Sequence, residues 1–180
     1  MALVIDSHLT FEDHVRMFEI EREYFQIEYC DTPELSWKLY CQNNETYLCV
    51  RDTENGKIAA HLTLIPVSEE TFNSILSGNI IDSDISAAQT LKYDSPGEYK
   101  LHFSAVAIAV KYREQNLISL LYRELKRKIA DLKNRGIVIT GISADCVCRD
   151  AEILCEKLLN MKFFKLSNHN SEIYWTDSLF

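Results

Sequence analysis

Cys146-Val147-Cys148, with Cys155 soon after, brings three thiols close together in sequence, and thiolates so spaced could hold zinc or act as nucleophiles. Zinc takes four nitrogen or sulfur donors, whereas here paired Cys-x-x-Cys units are missing and no histidine stands nearby, so no metal site is expected. A Cys148–His102 nucleophile pair is compatible with two neighbouring strands but has no local signature. The six cysteines, Cys30, Cys41, Cys49, Cys146, Cys148 and Cys155, read instead as small hydrophobes kept as thiols. Charged groups offer a second chemistry. Acidic residues gather at Glu12, Asp13, Glu19, Glu21, Glu23 and Glu28, and again at Glu69, Glu70, Asp82, Asp84, Asp94 and Glu98. Such walls attract cations, although a solvated charged face explains them too. Lys111, Arg113, Arg123, Lys126 and Arg127 form a basic patch suited to an anion. Tyr24 with Phe25, and Trp37 with Tyr40, could line an apolar pocket, but packing of helix on sheet is the better reading.

These residues belong to a chain of 180, long enough for a single domain over 1–180 whose core needs neither disulfide nor metal. With 47% hydrophobic and 26% charged residues it reads as a soluble globule, which excludes collagen, coiled coil and wholesale disorder. A formal charge of −8 repels a phosphate backbone, so nucleic acid is not an expected partner. Apolar runs such as 105–110 fall far short of the ~20 residues of a membrane span, so no membrane is expected either. The opening Met-Ala-Leu-Val-Ile-Asp lacks the charged start and apolar length of a signal peptide, and a cytoplasmic address follows as an expectation.

Thr10 before Phe11, Glu12 and Asp13 has the form of a helix start, and Phe11, Val15, Phe18 and Phe25 share a face, predicting a helix over 11–28. Thr32-Pro33-Glu34 opens a second that ends near Asn43-Asn44. From Tyr47 the period changes to two, and Asn55-Gly56 turns the chain into 57–66, predicting an antiparallel hairpin. Residues 68–98 read as a polar, mobile connection with a short helix (Phe72, Ile75, Leu76) stopped by Gly78. Then come a central strand over 100–110, a basic amphipathic helix over 111–134 closed by Gly136, a strand over 137–144 and a helix over 151–159. Two short strands, 163–166 and 173–176, finish the chain.

This order predicts an α/β fold with a mixed sheet, and within it the stretch Val106-Ala-Ile108-Ala-Val-Lys-Tyr112-Arg113-Glu-Gln-Asn116-Leu-Ile118-Ser119 resembles the strand, loop and helix of the GNAT superfamily of N-acetyltransferases. Ala151 to Leu158, followed by Met161-Lys-Phe163-Phe, is similar to the family's late helix and next strand. The likeness covers roughly 8–176. It implies a mixed, twisted β-sheet, splayed beside the strand ending at Ile108 and flanked by helices on both faces. It further implies acyl transfer from acetyl-CoA to a primary amine, without a covalent enzyme intermediate. The cofactor residues it points to are Val106, Ile108, Arg113, Glu114, Gln115, Asn116, Leu117, Ile118 and Ser119, whose main-chain N–H groups would hold the pyrophosphate at a helix start. Asn116 and Ile118 stand where the family places small residues, and the β-branched Ile118 brings bulk to that loop. His102 falls at the place of the family's general base, Cys155 at that of the tyrosine that protonates the leaving thiolate, and Cys148 at that of a cofactor-contacting Asn. The acidic stretches lie where the family walls the acceptor, implying a small-molecule or peptide amine of cationic character. A homodimer is left open. The rival readings are a catalytically inactive GNAT-like binding or regulatory module, and an enzyme that uses a different acyl carrier.

Overall fold

The computed structural model describes residues 2–177. Its first three α-helices start where side chains replace missing backbone partners. In α1 (Phe11–Glu21) the Thr10 hydroxyl accepts from the Asp13 N–H while the Asp13 carboxylate accepts from the Thr10 N–H. Thr32 caps α2 (Pro33–Gln42), with proline at its first position, and Ser68 caps α3 (Glu69–Leu76). After α3 the chain turns at Gly78, with φ of +74°, where a Cβ would come within 2.8 Å of the Ser167 backbone.

Seven strands form one sheet: β1 (Leu3–Asp6), β2 (Tyr47–Asp52), β3 (Lys57–Val67), β4 (Gly97–Ile108), β5 (Ile137–Cys146), β6 (Lys162–Leu166) and β7 (Glu172–Thr176). Their order is β1-β2-β3-β4-β5-β7-β6, with only the central β4–β5 pair parallel. The crossover between that pair carries α4 (Leu117–Asn134), and α5 (Arg149–Lys157) follows β5. The mixed sheet, the central place of β4 and the flanking helices agree with the sequence reading. The two sides are built differently. Met17 of α1 packs on Cys49, their sulfurs 3.6 Å apart, and Glu21 faces His61, so α1 covers that side of β2 and β3. Leu62 and Val106 point the other way, to Ile118, Leu121 and Leu125 of α4. Each fully buried leucine of α4, such as Leu121, contributes about 1.5–3 kcal/mol. A smaller apolar cluster of Leu39, Ile65, Val67, Phe72, Ile75 and Ile85 anchors α2 and α3. Among the described residues no helix is long and apolar enough to cross a membrane.

Three elements differ from expectation. β1 pairs with β2 at the sheet edge, where only four residues carry the pattern. α1 ends at Glu21 rather than running to 28, because the next residues are drawn off to the end of β4. The stretch expected as one helix over 111–134 is a 3-10 segment, Val110–Gln115, then Asn116 in the left-handed region (φ 52°, ψ 37°), then α4.

Candidate active site

The site arises where the two central strands part. β4 and β5 pair from Gly97↔Ile137 to Phe103↔Ala144 and no further. Beyond that point β4 continues to Ile108 against β3, and β5 continues to Cys146 against β7. One side of Ser104–Ile108 thus has no strand beside it. A bulge falls at the same place: Thr63 faces Ala105 and Leu64 faces Phe103, leaving Ser104 unpaired. The bulge shifts the alternation of β4 by one residue. Before it His102 shares a face with Asp82, and after it Val106 joins the opposite face with Leu62. A cavity of about 420 Å³ fills the opening.

Of the residues expected to hold a cofactor, Val106, Ile108 and Ile118 line this cavity. Ile118 turns its side chain against Leu62 and Val106, so its bulk joins the apolar packing. Asn116 occupies the N-cap of α4, yet its side chain makes no capping bond to the helix backbone and instead accepts from the Ser119 hydroxyl at 2.7 Å. The first turn of α4 carries no acid. The Ser119 N–H donates to the Asn116 carbonyl at 3.2 Å, and the side chain of the N-cap residue does not cap the N–H groups before it, the condition under which a helix start receives an anion. Glu114, Gln115 and Leu117 complete the loop, with Leu117 buried in the core. Arg113 is tied to the segment after α1: its Nε donates to the Tyr24 hydroxyl at 2.8 Å, and its guanidinium lies 4.3 Å from the Tyr24 ring centre. The Tyr24 hydroxyl donates in turn to the Ile108 carbonyl, and the Val110 N–H donates to Glu23 Oε2 at 2.8 Å. Arg123 and Arg127 of the basic patch pair with Glu124 on the outer face of α4.

His102 is fully buried and does not line the cavity. Its Nδ1 lies 3.0 Å from Ser143 Oγ and its Nε2 2.5 Å from Asp82 Oδ1, so it reaches the cavity through Asp82, which does line it. Burial pulls the His102 pKa down, but the Asp82 carboxylate outweighs it and the pKa is raised. Cys155 lines the cavity from α5, fully buried, with its sulfur 3.5 Å from that of Cys146. That contact, with burial, raises the Cys146 pKa, so Cys146 stays a thiol. Cys148 sits on the wall at the start of α5. Among the described residues no three His, Cys, Asp or Glu side chains are grouped to hold a metal.

The acidic wall narrows to a few residues. Glu21, Asp82 and Asp145 line the cavity, whereas Glu12, Glu19, Glu69, Glu70, Asp84, Asp94 and Glu98 are exposed, and Asp13 pairs with Arg51. The Glu28 side chain lies outside the described residues. Glu21 is only 8% exposed and has His61 Nε2 at 3.4 Å; burial raises its pKa well above the usual value, with Asp31 and Asp82 adding to it. Burial also pushes Asp31 up to about 7, helped by Asp82, and takes His61 down to about 3, so His61 is neutral. Asp145 is raised by burial, again helped by Asp82. Asp31, His61, Ser143 and Asp145 escaped the sequence reading. Only Asp145 carries a local signal, a lone acid at the end of the apolar run 137–144. Tyr24 and Phe25 line the cavity, while Trp37 and Tyr40 stack on each other, ring centres 5.5 Å apart, against His14.

No protein-family model matches the chain, and no curated protein sequence matches it. Solved structures do. The loading GNATL domain of CurA from Lyngbya majuscula aligns with a TM-score of 0.69 at 14% identity, over 98% of both chains. NAA60 of Arabidopsis thaliana, solved with a bisubstrate analogue, aligns with a TM-score of 0.59 at 11% identity over 97% of both. A GNAT-family acetyltransferase of Listeria monocytogenes aligns with a TM-score of 0.56 at 11% identity, over 98% of this chain and 95% of its own.

Proposed function

The chain has the GNAT fold, and from that premise we propose that it is an N-acyltransferase, moving an acetyl group from acetyl-CoA to a primary amine by direct attack. The observation that carries the reading is the parting of β4 and β5 after Phe103, which leaves one side of Ser104–Ile108 without a strand and a 420 Å³ cavity against it. An extended pantetheine arm suits that unpaired strand side. The uncapped, acid-free start of α4, beside Arg113, suits the pyrophosphate.

In this reading a neutral amine adds to the thioester carbon. The C–N bond forms as the C–S bond breaks, the nitrogen gives up a proton, and the departing thiolate takes one. A main-chain N–H of the 106–108 segment stabilises the thioester oxygen. Glu21, facing the cavity with its pKa raised by burial, is the group suited to receive the amine proton. His102 acts as a positioning residue, holding Asp82 against the acceptor side. Cys155, on the cavity wall, supplies the proton to the thiolate.

A second reading, a non-catalytic binding module, draws on one contact pattern: Tyr24 and Glu23 occupy the Ile108 carbonyl and the Val110 N–H at the mouth of the site. Calorimetry with acetyl-CoA and with CoA, followed by thiol release over a panel of amines, separates the two. Micromolar binding and amine-dependent thiol release are the expected results. No heat at millimolar acetyl-CoA would overturn the acyltransferase reading.

A further inference from the structure

The cavity carries an unbalanced charge. Glu21, Asp82, Asp145 and Asp150 line it, from four different elements, and no lysine or arginine stands among its lining residues as described. The one basic group in contact with that set by a short hydrogen bond is His102, behind Asp82. Two buried groups lack what burial normally demands. Behind Glu21, which is 8% exposed and on the cavity wall, the fully buried His61 Nε2 lies 3.4 Å from its carboxylate and makes no hydrogen bond. Asp145 Oδ1 is likewise buried without a hydrogen-bond donor. Unsatisfied buried acceptors are costly and are normally paired, so these groups point to a donor-bearing ligand.

Resting on the acyltransferase reading, we propose that the acceptor is a small aliphatic diamine or polyamine, whose second, non-reacting ammonium is held by the carboxylates of Asp82 and Asp145. The reaction itself requires the second charge. The attacking nitrogen must be neutral when it adds to the thioester, so it cannot balance the carboxylates at that moment, and its proton passes to Glu21. A second ammonium remains charged throughout and donates three hydrogen bonds into the acidic wall. The products are the mono-acetylated diamine and CoA thiol: the proton that the neutral nitrogen gives up balances the one the thiolate takes, and a further proton is released only when the reacting nitrogen arrives as an ammonium and loses it before attack. Burial raises the pKa values of Glu21, Asp31 and Asp145, and the Asp82 carboxylate adds to each, which agrees with carboxylates crowded around one cation position.

The test is calorimetric titration of the full chain, without acetyl-CoA, by 1,4-diaminobutane and by n-butylamine, which share a carbon chain and differ in one ammonium. The diamine is expected to bind about tenfold tighter or more, the effect of one charge-assisted contact. Asp145→Asn should bring the two affinities together, and Asp150→Asn, at an exposed site, should narrow the gap in a variant that keeps the core intact. Equal affinities, no binding of either amine, or a preference unchanged in both variants would overturn the inference. Acetyl-CoA binding and thiol release are measured separately. Turnover of monoamines as fast as diamines sinks the diamine inference and leaves acyl transfer standing. Failure to bind acetyl-CoA sinks acyl transfer, while the amine titration still decides the charge reading.

Discussion

Tyr24→Phe removes a single hydroxyl that performs two tasks, donating to the Ile108 carbonyl and accepting from Arg113 Nε. A donor arm that pairs with the end of β4 must first displace that hydroxyl from Ile108. A neutral hydrogen bond is worth about 0.5–1.5 kcal/mol net, and Tyr24 is 42% exposed, which favours the lower half of the range. Losing the competitor should therefore tighten acetyl-CoA by roughly two- to fivefold. The same loss should lower stability by about 1 kcal/mol, or roughly 2–4 °C in Tm for a chain of this size. Calorimetry gives the first quantity and a thermal melt the second. Tighter binding with a slightly lower Tm is the expected signature, and Glu23→Gln should add to it by freeing the Val110 N–H of a negative charge. Weaker acetyl-CoA binding in Tyr24→Phe would refute the reasoning, because it would make the hydroxyl part of the donor site and not its rival.

Glu21→Gln should lower kcat about a hundredfold or more with acetyl-CoA affinity nearly unchanged, as expected for a lost proton acceptor; an equal fall in binding would count against that role. His102 should leave a pH signature. Its folded pKa lies above the 6.5 of the free group, because Asp82 outweighs burial, so the stabilisation is complete below that value and is lost as pH rises through the raised folded pKa. The stability difference between the wild type and Asp82→Asn, read from denaturant unfolding, should shrink from pH 6 to pH 9. A difference that widens would reverse the assignment. Asn116→Ala, at φ of 52°, should cost about 1 kcal/mol, and Asn116→Gly should cost less; equal costs would show that the left-handed backbone is not what the position demands.

Local signals fixed much of the architecture. The hairpin at Asn55-Gly56 formed because glycine takes the φ of +71° found there, and the start of α2 followed from Thr32 and Pro33. What escaped were contacts between distant residues. The periodicity of Phe18 and Phe25 extends a helix past Glu21 on paper, but Tyr24 is held by Ile108, 84 residues away, and Glu23 by Val110, 87 away. The position of His102 next to Ser104 hints at a strand histidine, yet its partners are Ser143 and Asp82. Of the acidic residues the sequence grouped together, only Glu21 and Asp82 line the cavity, because composition records charge and not direction.

The unpaired Ser104 has a consequence for how this chain tolerates change. Side chains of a strand alternate between two faces, so the extra residue acts as a phase marker between two halves of β4. Ahead of it, the even position His102 meets Asp82; behind it, the even position Val106 meets α4. Replacing Ser104 with another small residue keeps that phase. Deleting it would leave Phe103 and Ala105 as consecutive partners of Leu64 and Thr63, with Val106 still toward α4, whereas inserting one more residue between Ala105 and Ile108 would turn the residues after it onto the opposite face. The cavity should therefore survive many substitutions along this strand, and even loss of the bulged residue, but not an insertion between Ala105 and Ile108.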